Sequence, residues 1–405
     1  MSTTTLRVVL DQVGGPVPRG VGRYALELTR ALIETAPRGC DVAGFVPSSP
    51  PDEYERIERL LPGLTALHKS ALDRRQLAAA WQHGFTRLPG TGMLHAPSLF
   101  APLSRHDRIN NPGEQVVVTI HEATAFTHPE TMPARAVAWT RAMALRAQRY
   151  ADAIVVPTHA VADDLAEHLD LGERVRVIAG AVSPALDPGP SADSRAAELG
   201  LPDRYVLAVG ALDGRSGVPA AVRAAALPDR TAHHDVPLLV AGATGEQLDA
   251  WAAGLDAAGS DAGDTGAATV AANGAAIAAA IADGRIQALG PLGETELALA
   301  YSRAAVVLAP ALSAGTGLIA LEAMSLGAPV VHSDAPALLE VCSDAGVVVA
   351  RDDAAGYPER LAEAVRSVLD DATLAAQLVV RGRDRAQAYS WRDSAEKTWQ
   401  LHADL

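Results

Sequence analysis

Lysine, cysteine and long apolar runs are scarce in this chain of 405 residues, and each scarcity narrows its possible functions. The two lysines are Lys69 and Lys397, and the formal net charge is −14, so the broad basic surface that nucleic-acid binding needs is missing. Cys40 and Cys342 lie far apart and outside any metal-spaced cluster, which argues against a disulfide framework or a zinc site. No run of 18 apolar residues occurs, and residues 1–7 lack the apolar core of a signal peptide, so we expect a cytoplasmic protein.

Short runs rich in valine and isoleucine alternate with longer amphipathic stretches along the chain. The runs show no clean polar–apolar alternation, which is typical of parallel strands covered on both faces. The length and this pattern predict an α/β fold with two Rossmann-like domains. The strands are predicted at residues 6–10, 42–46, 93–96, 116–120, 153–156 and 175–178 of the first domain, and at residues 205–209, 237–241, 285–289, 305–308, 329–332 and 346–350 of the second.

Prolines and glycine punctuate residues 184–190, which predicts a domain boundary there. We therefore expect residues 1–185 to form the first domain and residues 186–388 the second. Residues 252–282 consist mostly of alanine, glycine and aspartate, and we interpret them as a surface excursion without chemistry of its own.

A last helix is predicted within residues 389–405, beginning near Ser390. Trp391, Ala395 and Trp399 recur at helical spacing, so two indoles share one face and need a docking surface. Two open α/β domains in tandem leave a cleft, and ligands bind beyond the carboxyl ends of parallel strands.

A glycine-rich turn joins the first predicted strand to the first predicted helix. Gly20 and Gly22 let the backbone approach a ligand, and the helix N-terminus that they open offers N–H groups to an anion. A plain glycine turn between strand and helix is the alternative. The spacing differs from the dinucleotide fingerprint, so NAD is not expected.

His121 and Glu122 follow the apolar strand predicted at residues 116–120. A histidine at the carboxyl end of a parallel strand is placed to bind a substrate hydroxyl or to transfer a proton. The alternative is a histidine that only hydrogen-bonds a backbone carbonyl.

Arg215 and Ser216 lie in the glycine-rich turn after the first strand of the second domain. A basic residue in such a turn is placed to hold a diphosphate. As a bare pattern, this signal is weak.

The most informative segment is residues 310–331. Gly315 and Gly317 form a loop that opens a helix at Leu318, and Glu322 lies in the second turn of this otherwise apolar helix. A carboxylate there needs partners, which ribose hydroxyls would provide. Interaction of the carboxylate with the helix dipole is the alternative.

Together these motifs resemble the retaining glycosyltransferases of family four, which have the GT-B fold. The resemblance is carried by residues 19–24, 118–121, 157–160, 209–212, 317–331 and 389–391. It implies a nucleotide-sugar donor on the second domain, a glycan or lipid-linked acceptor on the first, retention of configuration, and neither metal nor cofactor. It also implies that Gly20 and Gly22 face the donor phosphates, that His121 lies near the transferred sugar, that Glu322 binds the ribose, and that the last helix crosses back to the first domain.

The chain departs from the family pattern at the donor site. Ala314 replaces the first of two usual glutamates, and Ser216 replaces the lysine that contacts the diphosphate. Because both lysines lie elsewhere, Arg215 is the candidate cation, with Arg19 and Arg23 behind it. The candidate donor-binding residues are Gly20, Gly22, Arg215, Ser216, Gly315, Gly317, Leu318 and Glu322, and the candidate catalytic residues are His121 and Arg215.

Two functions follow from this resemblance and its departures. The first is an active hexosyl-type transferase of polysaccharide biosynthesis with a rebuilt donor site. The second is an impaired glycosyltransferase-like subunit, in a homo- or hetero-oligomer, that binds a partner transferase or a nucleotide without turnover. A sugar-nucleotide epimerase shares the two-domain fold, but the order of the motifs favours the transferases.

A basic stretch of the first domain suggests a further contact. Arg135, Trp139, Arg141, Arg146 and Arg149 lie at helical spacing, and such a helix is able to rest on anionic lipid at the inner face of the membrane. A solvated arginine face with the tryptophan in the core is the alternative.

Overall fold

The computed structural model describes residues 4–15, 20–86, 88, 92–107, 110–111, 113–227, 236–260 and 265–405, without the side chains of residues 256–260 and 265–273. By its internal contacts the chain divides into two units. Unit 1 comprises Met1–Ser183 and Tyr389–Leu405, and unit 2 comprises Pro184–Ala388.

Unit 1 is built on a parallel sheet with the strand order β3-β2-β1-β4-β5-β6-β7. The strands are β1 (Thr4–Val9), β2 (Cys40–Val46), β3 (Leu67–Lys69), β4 (Met93–Ala96), β5 (Val116–Thr119), β6 (Ala153–Val156) and β7 (Val175–Val177). The helices are α1 (Gly20–Glu34), α2 (Pro51–Leu60), α3 (Arg74–His83), α4 (Thr124–Thr127), α5 (Ala134–Tyr150) and α6 (His159–Ala166).

Both faces of this sheet are buried, as its valine-rich strands require. Val8 of β1 packs with α1 on one face, and its neighbour Val9 packs with α3 and α5 on the other. Six strands of the unit lie within two residues of their predicted positions. The short strand β3 was missed because a polar Leu-His-Lys segment carries no strand pattern.

Unit 2 is a second parallel sheet with the order β10-β9-β8-β11-β12-β13. The strands are β8 (Val206–Val209), β9 (Leu238–Ala241), β10 (Ile286–Gly290), β11 (Val306–Ala309), β12 (Val330–Ser333) and β13 (Gly346–Val349). The helices are α7 (Ala192–Glu198), α8 (Val218–Ala226), α9 (Gly245–Ser260), α10 (Thr265–Ala282), α11 (Glu294–Arg303), α12 (Leu318–Ser325), α13 (Pro336–Cys342), α14 (Tyr357–Asp370) and α15 (Ala372–Ala386).

The alanine-rich residues 252–282 are not merely a surface excursion, so that interpretation was wrong. Of these, residues 252–260 and 265–282 belong to α9 and α10, and Ala252, Ile277 and Ala280 are buried in the core of unit 2. Small side chains let these helices approach closely, so burial does not require large apolar residues. The scarcity of such residues in the segment was therefore no evidence for a surface position.

The last helix, α16 (Trp391–Asp404), packs on unit 1. Ser390 caps it, and three of its side chains donate hydrogen bonds to backbone carbonyls of that unit. Trp399 Nε1 lies 3.1 Å from the oxygen of Leu32, Trp391 Nε1 lies 3.1 Å from that of Val182, and Ser394 Oγ lies 2.6 Å from that of Ala179. Both indoles therefore bury their apolar surface while their N–H groups stay hydrogen-bonded.

Two buried histidines also join α16 to the sheet. His402 Nε2 lies 3.4 Å from Nδ1 of His95 in β4, and the backbone oxygen of His402 accepts a hydrogen bond from Gln115 at 2.8 Å. Burial lowers the pKa of His95 to about 3 and the pKa of His402 well below its usual range. Both imidazoles are therefore neutral in the folded chain near neutral pH.

Protonation of this pair should destabilise the fold. In the unfolded chain both histidines titrate near pH 6.5, and in the folded chain at lower pH, so stability is present above pH 6.5 and lost as the pH falls below it. Between pH 6.5 and 5.0 we expect protonation of His95 to cost about 1.6 kcal/mol, and protonation of His402 to add to this loss. Urea unfolding of the wild type and of His402→Gln at both pH values gives the free energy of unfolding, and the difference between the two pH values is the loss on acidification. The loss on acidification should be smaller in the variant, and an unchanged loss would exclude His402 as its source. The exposed residue His83 provides the control substitution, His83→Gln.

Candidate functional site

In unit 1, two of the predicted glycines lie in the first turn of α1. Gly20 is exposed, and a Cβ built there would meet nothing within 4 Å, whereas Gly22 is buried. Packing within the unit therefore does not require a glycine at Gly20. Arg19 lies outside the described residues, so its expected role stays a prediction.

His121 follows β5 and is half-buried. Its Nε2 lies 2.7 Å from the backbone oxygen of Pro97. A carbonyl oxygen only accepts, so Nε2 carries the proton, and burial lowers the pKa of His121, which favours the neutral ring. Nδ1 then carries a lone pair, and among the described residues nothing donates to it. The hydrogen bond to a backbone carbonyl, which the alternative interpretation of His121 predicted, is present. It leaves Nδ1 able to accept a hydrogen bond from a hydroxyl.

An aromatic contact links His121 to α1 and α16. The ring of Tyr24 meets His121 edge-on with centroids 4.6 Å apart, and meets Trp391 with centroids 5.5 Å apart. A Cβ at Gly180 would lie 3.2 Å from Tyr24 and 3.3 Å from Trp391, so a glycine gives these rings room. Tyr24 lies within the glycine-rich segment 19–24, whose pattern predicted no role for it. It holds the imidazole beside the first turns of α1.

In unit 2, Ser216 is engaged within its own turn. Its hydroxyl lies 2.6 Å from the oxygen of Ala211 and accepts from the N–H of Val218 at 3.2 Å, while its N–H donates to Asp213 at 2.7 Å. These bonds shape the turn before α8. The contact of Ser216 with a diphosphate stays a prediction.

This turn touches the loop that follows β11. The N–H of Leu312 donates to the oxygen of Arg215 at 3.0 Å. Gly217 has a φ of +71°, and a Cβ built on it would lie 1.8 Å from the oxygen of Pro310. Because β8 and β11 are neighbours in the sheet, the loops at their carboxyl ends come together only if this position has no side chain.

Three later side chains hold the start of the second loop. The hydroxyl of Tyr357 donates to the oxygen of Pro310 at 3.0 Å, and that of Ser333 donates to the oxygen of Ala311 at 2.5 Å. Arg351 donates to the oxygen of Leu312, and its Nε bonds a carboxylate oxygen of Asp334 at 2.6 Å. No local pattern in the sequence signalled these contacts, because each partner lies in a different element.

The same loop leads into the N-terminus of α12. Gly317 is the N-cap with a φ of +58° and makes no side-chain capping hydrogen bond, while the N–H of Leu318 donates to Oγ1 of Thr316 at 3.4 Å. A Cβ at Gly317 would lie 3.0 Å from the side chain of Val341, so the loop packs tightly on α13. The next N–H groups of the first turn, those of Ile319 and Ala320, lie at the carboxyl edge of the sheet, and such helix N-termini bind anions.

Glu322 is 2% exposed, and Tyr301 in α11 is fully buried. The hydroxyl of Tyr301 donates to Oε2 of Glu322 at 3.0 Å. Burial of the carboxylate was expected from the apolar helix around it, but its tyrosine partner was missed. The role of Glu322 toward a ribose stays a prediction.

The basic stretch of the first domain forms α5. Arg141 and Arg146 donate to backbone carbonyls of unit 1, and Trp139 packs against its core. Arg135 and Arg149 are exposed. These contacts favour the alternative of a solvated arginine face with the tryptophan turned inward.

The described residues contain neither a membrane-spanning helix nor a cluster of metal ligands. No helix among them is long and apolar enough to cross a membrane. Within the same residues, no group of three or more histidine, cysteine, aspartate or glutamate side chains is arranged to hold a metal ion.

Family models match both units. The model described as Glycosyltransferase Family 4 matches residues 18–186, and the model described as Glycosyl transferases group 1 matches residues 192–385.

Curated proteins match over shorter segments. The chain is 37% identical over 106 residues to the alpha-maltose-1-phosphate synthase of Mycolicibacterium smegmatis, which is 25% of this chain and 27% of that protein. It is 32% identical over 116 residues to the O-antigen chain mannosyltransferase B of Escherichia coli, which is 29% of each chain. The matched segment thus spans little more than a quarter of the length of these relatives.

Solved structures match the whole chain. Sucrose-phosphate synthase from Thermosynechococcus elongatus has a TM-score of 0.70 at 20% identity, over 99% of this chain and 98% of that one. Anabaena HepE in complex with UDP and glucose has a TM-score of 0.68 at 14% identity, over 99% of this chain and 100% of that one. These likenesses show the GT-B fold.

The close approach at Gly217 can be tested against a matched glycine. Gly200 has a φ of +65°, but a Cβ there would meet nothing within 4 Å. Gly200→Ala should therefore cost only the left-handed backbone penalty of about 1–2 kcal/mol. Gly217→Ala should cost more, because the loops must also separate. Urea unfolding measures both, and equal costs would contradict the steric account.

The Tyr301 hydroxyl should stabilise unit 2 through its bond to a buried carboxylate. Tyr301→Phe is expected to lower the free energy of unfolding by about 1.5–3 kcal/mol, as for hydrogen bonds to charged groups. Tyr205→Phe is the control, since its buried hydroxyl donates to the neutral oxygen of Ala300 at 2.7 Å. We expect about 0.5–1.5 kcal/mol for that variant. A smaller loss for Tyr301→Phe than for Tyr205→Phe would contradict the assignment.

Proposed function

We propose that this chain, which belongs to the family 4 type of glycosyltransferases, transfers a sugar from a nucleotide-sugar donor to a glycan or lipid-linked acceptor with retention of configuration. The observation that carries the proposal is the joining of two loops of unit 2 through Arg215 and Leu312. This contact joins the turn that carries Arg215 to the loop that leads into the N-terminus of α12, at one edge of the sheet.

We assign the donor diphosphate to these loops. When the bond between the sugar and the diphosphate breaks, negative charge grows on the leaving oxygen. In this proposal the guanidinium of Arg215 and N–H groups of the first turn of α12 donate hydrogen bonds to that oxygen and stabilise the charge. Because the hydroxyl of Ser216 is used within its turn, Arg215 takes the main part of this task.

We assign the ribose to Glu322 and the transferred sugar to His121. A carboxylate accepts hydrogen bonds from ribose hydroxyls, and Tyr301 fixes its position. A neutral His121 with its proton on Nε2 accepts from a sugar hydroxyl through Nδ1. In this proposal no metal or cofactor takes part, and the nucleotide-sugar is a substrate.

A nucleotide should raise the thermal stability of the purified chain. UDP is the first to test, since HepE was solved with UDP and glucose; GDP, dTDP and ADP follow, each with its sugar conjugates. At a hundred times its Kd, a ligand adds about 2.7 kcal/mol of apparent stability. A shift with one nucleotide identifies the base. No shift with any of them would contradict a donor-binding unit 2 and would leave the impaired subunit as the better account.

Replacement of Arg215 should slow transfer. Arg215→Gln is expected to lower kcat/KM by roughly ten- to a hundredfold, the value of one charge-assisted contact. The control is Arg381→Gln, at an exposed arginine of α15 whose carboxylate neighbour lies 3.8 Å away. Initial rates of sugar transfer give kcat/KM for the wild type and for both variants. An unchanged kcat/KM in Arg215→Gln would remove that residue from the proposal.

A further inference from the structure

We propose that Arg74 recognises an anionic group, a phosphate or a carboxylate, on the acceptor. The inference rests on the proposed function, because it concerns the acceptor of that reaction. It arises from a guanidinium in unit 1 that is fixed on one edge and exposed on the other.

The inner edge of the guanidinium is held by two groups. Nε of Arg74 donates to Oδ2 of Asp11 at 2.9 Å, and the side chain of Asp11 is 4% exposed. The guanidinium carbon also lies 5.2 Å from the ring centre of the buried Phe100. A stacked and ion-paired arginine keeps one orientation, so little rotamer entropy is left to lose when it binds a ligand.

The outer edge is open. The side chain of Arg74 is 53% exposed, and among the described residues neither Nη1 nor Nη2 makes a hydrogen bond. These two nitrogens form the fork that matches the oxygens of a carboxylate or a phosphate.

The position of Arg74 is set by the loops at the carboxyl edge of the sheet. Asp11 follows β1, and Arg74 is the first residue of α3. The N–H of Ser48, just beyond β2, donates to the oxygen of Leu72 at 2.8 Å, which ties the start of α3 to that edge. Arg74 thus lies where parallel α/β sheets bind their ligands.

One loop connects this arginine to His121. After β4, Pro97 accepts the hydrogen bond of His121, and Phe100, three positions later, lies beneath Arg74. Since β4 separates β1 from β5, the ends of these two strands are roughly 10 Å apart. A sugar with one charged substituent fits this spacing, with a hydroxyl toward His121 and the charge toward Arg74.

Other cations surround this edge in an otherwise acidic chain. Arg75 is exposed next to Arg74, and Arg56 donates to the oxygen of Gly14 at 2.9 Å. The neighbouring carboxylate of Asp73 caps α3 by accepting from Gln76 at 2.9 Å. The chain has a net charge of −14 and carboxylates lie beside these cations, so we assign the anion to the open fork of Arg74 alone and not to the charge around it.

The test compares charged and neutral sugars on the full chain. Binding of glucose, glucose 6-phosphate, glucuronate and inorganic phosphate is measured by calorimetry for the wild type, Arg74→Gln and the matched control Arg75→Gln. We expect glucose 6-phosphate or glucuronate to bind the wild type at least roughly tenfold more tightly than glucose. Arg74→Gln should remove that preference, and Arg75→Gln should retain most of it. The preferred ligand distinguishes a phosphate from a carboxylate.

Three results would overturn the inference: no preference for a charged sugar in the wild type, the same preference in Arg74→Gln, or binding of inorganic phosphate alone as tight as that of the sugar phosphate. The double variant Asp11→Asn/Arg74→Gln covers the case in which Arg74→Gln does not fold, because it also removes the buried charge. The nucleotide-induced rise in thermal stability is measured on the same proteins. If no nucleotide binds the wild type, the proposed function fails; if a nucleotide binds but charged sugars show no preference, only this inference fails.

Discussion

The approach of Gly217 to the carbonyl of Pro310 is the constraint on which the loops of unit 2 depend. A single hydrogen bond contributes about 0.5–1.5 kcal/mol, whereas an atom placed 1.8 Å from a carbonyl oxygen cannot be accommodated at all. Sterics therefore decide whether the two loops meet, and the bond between Arg215 and Leu312 only holds them once they have met. The hydroxyls of Tyr357 and Ser333 and the guanidinium of Arg351 then fix the backbone on the other side.

Polar groups at the carboxyl edges of both sheets are positioned by partners from other elements. Tyr301 holds Glu322, Pro97 holds His121, and Asp11 holds Arg74. Each partner satisfies part of the hydrogen-bonding capacity of a buried or half-buried group, which keeps the cost of burial low. The remaining capacity of His121 and Arg74 points to what a ligand must supply, namely a donor at one and an acceptor at the other.

The fold was largely predictable because parallel strands buried on both faces are rich in valine and isoleucine, and β6 has the bounds that this pattern predicted. The pattern failed where burial is achieved without large side chains, as in α10, or where a strand is only three residues long, as in β3. For the candidate site, glycine loops and a lone carboxylate on an apolar helix were readable locally. Their partners were not, because Glu322 and Tyr301 are 21 positions apart and Asp11 and Arg74 are 63 apart, with no periodicity to relate them.

The docking of α16 has a consequence for how the chain is made. Leu32 and Val182 accept hydrogen bonds from indoles of α16, whose residues follow the whole of unit 2 in the sequence. Unit 2 is continuous in sequence and can close while it leaves the ribosome. The apolar face of α1 that Trp399 covers stays open during that time. The packing of α1 against α16 is therefore completed only after the whole of unit 2 has been synthesised.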